Sequence, residues 1–442
     1  MSDETFKTAG NPRMDVLFVI DDSPEMVSMR DKLVPAFPSF ITTFADATRA
    51  DYPNLHVAVV SSSMGGGRFA NVPGCEEGSA GARDGAFRHP AGAGLAAGET
   101  FMRFNGSPLN FQGDPGVVFS ALADVGVGGC PYPQPLAAAR RALARAQDPS
   151  DPDNAGFLRA DARLLVVIVT NEDDCSVPAD SDLFDPSQVS LTDPYGGTGT
   201  YRCAEFGLLC DGMKPPHALA ASAGDVALDG CVPAEAAGLL TPIADLTNDL
   251  LGLKDDLDEV SVSLIGGPPE PLVVGQQAVA LGAGVTENQP RLQPSCAGSS
   301  GGPASPSVRL KAWADGFDAN GIFLPSCVDT GMLATAVAGQ LGQITLALGS
   351  ECISGVPVST AAGLPNCLVV QTRIEEDGSQ VRSELPHCDV DRTVVPCWKI
   401  DAKASQCLYV GPAFTVCRNV ACTAEPALTP PGALAVRCQI AC

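Results

Sequence analysis

The stretch Met14–Glu25, reading MDVLFVIDDSPE, constrains the fold of this chain more than any other. Five consecutive apolar residues, Val16 to Ile20, end abruptly in Asp21-Asp22-Ser23-Pro24-Glu25. A short apolar run of this kind is what a strand covered on both faces requires, and parallel sheets bury their strands in that way. The polar cluster then sits at the carboxyl end of the strand, the edge at which open α/β sheets bind ligands. From Val27 to Phe44 the apolar residues Leu33, Phe37, Phe40, Ile41 and Phe44 fall near helical spacing, with Pro35 and Pro38 interrupting any single helix.

The same grammar recurs along the chain. Strand-like runs occupy Leu55–Ser63, Arg163–Thr170, Val260–Ile265 and Gly321–Leu324, and RLLVVIVT at Arg163–Thr170 is the strongest of them. Helical patterns occupy Leu136–Ala146, Leu239–Leu257, Pro306–Phe317 and Met332–Leu348, with a shorter one at Val117–Val125. This alternation predicts an α/β domain over 13–350, built as a doubly wound, mostly parallel sheet with helices on both faces. Long loop insertions are expected near 64–115, 177–235 and 268–303, where glycine, proline and cysteine replace periodicity. Residues 1–12 read as a polar N-terminal tail, and 351–442 as a small β-rich module that needs crosslinks to hold a core.

Cysteine sets the expected compartment. Of the 17 cysteines, nine lie at or beyond Cys352, and their spacing lacks the tight pairs and neighbouring histidines of zinc sites. Disulfides formed in an oxidising compartment are the better reading, which makes the protein extracellular or exposed on the outer cell surface. Met1–Arg13 carries no apolar core of an export signal, so the expectation is that the signal, and with it a lipid anchor, was removed. No apolar run reaches the roughly 20 residues of a membrane helix. With 27 Lys+Arg against 51 Asp+Glu, the formal charge of −24 argues against nucleic acid and anionic membranes as partners.

Three polar segments are expected to converge at one sheet edge: Asp21-x-Ser23-x-Glu25, the loop Gly126–Cys130, and Thr170–Asp174. Hard cations such as Mg²⁺ and Ca²⁺ are bound by such oxygen-rich sets. The plainer alternative is that Asp21 and Ser23 cap a helix and that Asn171–Asp174 form a solvated turn. Asp-x-Ser-x-polar after the first strand resembles the metal-ion-dependent adhesion site of von Willebrand factor type A domains. The phrases VGVGGCPYPQPLAAARRAL, LLVVIVTNEDDCS and YRCAEFGLLC narrow the resemblance to cysteine-rich secreted proteins and lipoproteins of myxobacteria. The resemblance implies a von Willebrand A-like, Rossmann-like fold and a divalent-cation site in an altered form. Asp21 and Ser23 match its pattern, Glu25 stands where a serine is usual, Val127 where a threonine is, and Asn171 where an aspartate is. The candidate metal ligands are therefore Asp21, Ser23, Glu25 and Asn171, with Asp173 able to supply the lost charge. The same resemblance places a cysteine of the relatives near Ala121, which would leave Cys75 or Cys130 here without its partner.

Catalytic signatures are poor: the sequence contains no Walker loop and no His-Glu-x-x-His. His56 reads as structural, and His89, His217 and His387 fall in loops. The expectation is a non-enzymatic binding or adhesion protein that meets a protein or surface ligand at the carboxyl edge of the sheet. Its alternatives are a disulfide-stapled scaffold with a decayed metal site and, third, an unrecognised hydrolase.

Overall fold

The computed structural model describes residues 2–6, 13–27, 55–76, 83–104, 109–196, 199–220, 222, 224–254, 259–282, 284–298, 302–317, 320–327, 357–360, 363–374, 380–389, 395–401, 413–417 and 432–438. The helical patterns read beyond Val27 and at Met332–Leu348 lie outside the described residues. The chain divides into a larger unit, Arg13–Asp46 with Ala50–Gln340, and a smaller one, Met1–Pro12, Ala47–Arg49 and Leu341–Cys442.

In chain order the larger unit contains β1 (Met14–Ile20), β2 (Leu55–Ser61), β3 (Met102–Arg103), α1 (Pro115–Ala123), α2 (Pro135–Gln147) and β4 (Arg163–Val169). It continues with α3 (Tyr201–Gly207), β5 (Val226–Leu228), α4 (Ile243–Leu251), β6 (Val260–Gly266), β7 (Leu272–Gly282), β8 (Val285–Leu292), α5 (Val308–Asp315) and β9 (Gly321–Pro325). Six of these strands form one sheet in the order β9-β6-β4-β1-β2-β3. β1 runs parallel to both β2 and β4, with Val16 opposite Val57 and Leu165, while β3 is an antiparallel edge. Every residue of β1, β2 and β6 is buried, which is why their sequences are near-continuous apolar runs. Leu17 and Val19 share one core with Ala138, Ala142 and Leu143 of α2 and with Trp313 of α5. Phe18 faces the other way and packs on Phe119 of α1, ring centroids 4.7 Å apart. Asp114 caps α1, accepting from the backbone N–H groups of Gly116 and Val117 at 2.9 and 3.1 Å.

The expectation of a doubly wound, Rossmann-like α/β fold is not met, and the chain is instead a mixed, sheet-rich structure. The main sheet is itself mixed, and among the described residues there are five smaller sheets of two to four strands. Among the described residues there are only five α-helices, the longest of 13 residues. The reason lies largely in the segments read as loops. LVVGQQAVALG and VTENQPRL alternate side chains between two faces and form the hairpin β7–β8, with Val274 opposite Leu292. Its turn uses Gly282 and Gly284 at φ of +93° and +78°, a region open to glycine. β5, from the preceding insertion, adds a third antiparallel strand, so two segments far apart in sequence build one sheet.

Disulfides hold these insertions: Cys75–Cys130, Cys175–Cys203, Cys210–Cys231 and Cys296–Cys327. Cys75 and Cys130 bond to each other, which corrects the inference that one of them lacks a partner. In the smaller unit, Ser2–Phe6, Gly432–Cys438, Cys367–Ile374 and Gln380–Glu384 form an antiparallel sheet in that order. Cys397–Asp401 pairs with Ala413–Cys417, and Cys388–Cys397 crosslinks the start of that ribbon.

One buried cation joins three segments of the larger unit. Arg309, wholly buried in the first turn of α5, donates to Asp174 Oδ2 at 3.1 Å, Glu235 Oε1 at 2.6 Å and the Thr241 carbonyl at 3.0 Å. Removing one partner of such a pair leaves an uncompensated buried charge. Arg309→Met is expected to lower stability by about 3–5 kcal/mol, read as a shifted urea midpoint; a change below about 1 kcal/mol, the scale of a surface pair, would contradict this account.

Candidate functional site

Parallel pairing brings the carboxyl ends of the central strands level. The Asp21 N–H donates to the Val169 carbonyl at 2.9 Å, and the Thr170 N–H to the Ile265 carbonyl at 3.0 Å. The loops after β1, β2 and β4 therefore meet. Asp21, 1% exposed, accepts through Oδ1 from the Ser23 N–H at 2.8 Å and Ser62 Oγ at 3.0 Å, and through Oδ2 from Thr170 Oγ1 at 2.6 Å. Asp22 accepts from Ser63 Oγ at 2.7 Å, and Ser63 Oγ in turn accepts from the Cys130 N–H at 2.9 Å. The Gly129 N–H donates to the Asp22 carbonyl at 2.7 Å, and a Cβ at position 129 would overlap the Asp22 carboxylate, so only glycine fits. This is the structural role of the Gly-Gly-Cys loop.

Of the five candidate metal ligands, four gather here. Asn171 donates through Nδ2 to the Glu25 carbonyl at 2.9 Å, and Glu25 exposes its side chain. Ser23 Oγ and Asn171 Oδ1 are buried oxygens without a hydrogen-bond partner, as is Asp22 Oδ2. Asp173 is engaged elsewhere: its two oxygens accept from the Arg309 and Leu310 N–H groups at 2.9 and 3.0 Å, at the start of α5. Val127 stays in the Gly126–Gly129 loop and offers no side-chain oxygen. Both oxygens of Asp21 accept hydrogen bonds, and among the described residues no group of three His, Cys, Asp or Glu is placed to hold a metal ion.

Beside this cluster lies a cleft of about 360 Å³. Glu25, Asn171 and Glu172 line it from the sheet, Tyr201 from the start of α3, and Gln277 and Arg291 from the β7–β8 hairpin. Sequence reading placed Glu172 in the polar segment Thr170–Asp174 and Tyr201 in the YRCAEFGLLC motif without giving either a role, and it missed Gln277 and Arg291 because they lie on a hairpin taken for a loop. The alternation in β7 and β8 is the signal that could have found the pair.

Burial dominates the electrostatics. It pushes Glu172 up to about 8, with the Thr200 hydrogen bond and the charge of Arg291 opposing and the charges of Glu25 and Asp21 adding. It pushes Asp22 up to about 7, against the Ser63 hydrogen bond, and raises Asp21 and Glu25 as well. The histidines lie away from the cleft's lining. His56 is buried, bonds the Phe157 carbonyl at 2.8 Å and is pushed down to about 4 by desolvation. His217 Nδ1 sits 2.7 Å from Glu205, and His89 Nε2 sits 3.2 Å from Asp153.

No protein-family model matches the chain, and no curated protein is significantly similar to it. Among solved structures, the pilus adhesin SpaC from Lactobacillus rhamnosus GG in its open conformation aligns with a TM-score of 0.38 and 8% identity, over 98% of this chain and 38% of that one. A second form of SpaC gives 0.36 and 10%, over 98% and 40%. The pilus adhesin RrgA from Streptococcus pneumoniae gives 0.32 and 10%, over 98% and 57%. The chain thus spans less than two thirds of each adhesin. None of the comparisons indicates a von Willebrand factor A domain.

The raised carboxyl groups fix a pH dependence. A group whose folded pKa is raised stabilises fully below its unfolded value and ceases to do so as pH rises through the folded value. For Glu172 and Asp22 that loss falls through about 8 and about 7. His56 acts in the opposite sense, since its lowered pKa costs stability as pH falls from 6.5 toward about 4. The melting temperature is therefore expected to fall between pH 6.5 and 9, and Glu172→Gln to flatten that fall. A curve that rises over this interval in the unsubstituted protein would refute the assignment.

Proposed function

We propose that this chain is a disulfide-stabilised binding protein of an extracellular or outer-surface setting, which meets a protein or surface ligand in the cleft beside the Asp21–Glu25 loop. The observation that carries the reading is that cleft. It combines a buried acceptor without a donor, Asn171 Oδ1, and two carboxyl groups at the end of the main sheet with a wall formed by an inserted hairpin. Binding groups are commonly placed in this way, on loops held by a scaffold. The five crosslinks joining Cys75 to Cys130, Cys175 to Cys203, Cys210 to Cys231, Cys296 to Cys327 and Cys388 to Cys397 support the oxidising setting. Adhesion is the finer form of this reading, and the cleft would be its contact surface.

A scaffold reading has one observation in its favour. Asp21 serves as a tie between three loops, and this role needs no ligand. The two readings separate on a substitution that fills the cleft and leaves Asp21 untouched. Gln277→Trp is expected to abolish binding of the labelled full chain to a panel of immobilised purified glycoproteins and matrix proteins, with an unchanged melting temperature. If wild type and Gln277→Trp give the same pattern on that panel, the cleft is not the binding surface.

A further inference from the structure

The chemistry of the cleft specifies the charge of what enters it. Its sheet side carries two carboxyl groups and one buried acceptor without a donor. Asn171 is 5% exposed and its Oδ1 has no hydrogen-bond partner. Glu172 is 8% exposed, with a hydrogen bond from Thr200 and the charge of Arg291 only partly offsetting its burial, and Glu25 lines the cleft with it. Asp21, behind them, adds a further negative charge to the same field. A carboxylate taken out of water without a counter-ion is costly, and the cost is relieved by a cation that brings its own N–H donors. Asp21 is engaged by Ser62 and Thr170 and Asp173 by the start of α5, so Asn171 Oδ1 and the two glutamates are the acceptors that line the cleft.

We propose that the cleft receives a basic side chain, a lysine ammonium or an arginine guanidinium, presented by a protein partner. The proposal rests on the cleft being the binding surface and adds the class of residue that it recognises. An ammonium or guanidinium supplies three or five donors to Asn171 Oδ1 and the two glutamates, and the volume of about 360 Å³ accommodates one extended side chain. Arg291 faces this floor from the hairpin, exposed and without an ion pair to Glu25 or Glu172. It acts as a competing cation, so its charge weakens entry of a basic ligand and its removal strengthens it. An acidic ligand would show the reverse dependence on the same residue.

The test titrates the full chain at pH 8.5 with acetylated, amidated pentapeptides that carry lysine, arginine, norleucine or glutamate between glycine pairs, followed by NMR or calorimetry. The lysine and arginine peptides are expected to bind in preference to the other two. Glu172→Gln is expected to weaken them by about tenfold or more, as for loss of a charged hydrogen bond, and Arg291→Ala to tighten them. If Glu172→Gln fails to melt cooperatively, Asn171→Leu, which deletes the orphan acceptor, replaces it with the same expected loss. Preference for the glutamate peptide, weaker binding in Arg291→Ala, or equal affinity in Glu172→Gln would each overturn the proposal. So would absence of binding by both basic peptides, or a saturable response to MgCl₂ or CaCl₂ alone that Glu172→Gln removes. Panel binding that Gln277→Trp abolishes and Glu172→Gln leaves intact would retain the cleft as a binding surface and exclude the basic ligand.

Discussion

The carboxylate of Asp21 is the point at which the larger unit converges. Its two oxygens bind the loop that follows its own strand, a serine of the neighbouring strand's loop on one side, and a threonine of the loop on the other. Hydrogen bonds to a buried charged acceptor are stronger than neutral ones, and leaving that acceptor unmade costs its full desolvation. The three strand ends are thus held at fixed separations, and what stands next to them, Asn171 and Glu172, inherits that rigidity. Asp22, a residue further, ties the Gly126–Cys130 loop into the same network through Gly129 and Ser63. Asp21, which the sequence offers as a metal ligand, ties three loops together in the structure.

The two insertions that follow β4 give the edge its depth. The β7–β8 hairpin and β5 form one sheet whose apolar face shares a cluster with Tyr201 and Ala204 of α3 and with Val308. Disulfides at Cys175–Cys203 and Cys210–Cys231 anchor α3 and the segment before β5. Arg202 is buried among the carbonyls of Leu183 and Gly196 and fixes the intervening loop. Crosslinks and backbone-directed charges thus replace an extensive core in segments too polar to build one.

Much of the strand content was legible. Runs such as VLFVI and RLLVVIV could be read because a strand buried on both faces must be apolar throughout, and each appears in the structure as a central strand. The helix at Pro135–Gln147 was equally plain, from alanine and leucine with prolines at its entry. The candidate site was only half legible. Adjacent residues such as Asp21 and Ser23 stay together in any fold that contains their turn. Asp173 was misassigned because proximity in sequence does not reveal that the backbone N–H groups of Arg309 and Leu310, far along the chain, would capture it.

By itself, the sequence determined which segments are buried strands, that polar clusters end them, and that cysteines must crosslink a chain with so little periodicity in its insertions. These follow from local patterning, which acts within a few residues. Tertiary structure alone decided that the insertions pair with each other as an antiparallel sheet, so that the chain is mixed and sheet-rich, not doubly wound. It also decided which acceptors find donors and which, like Asn171 Oδ1, are left buried without one. Hydrogen bonding and desolvation at this edge are settled largely by neighbours distant in sequence, such as Thr170 for Asp21 and Arg309 for Asp173, which no local pattern encodes.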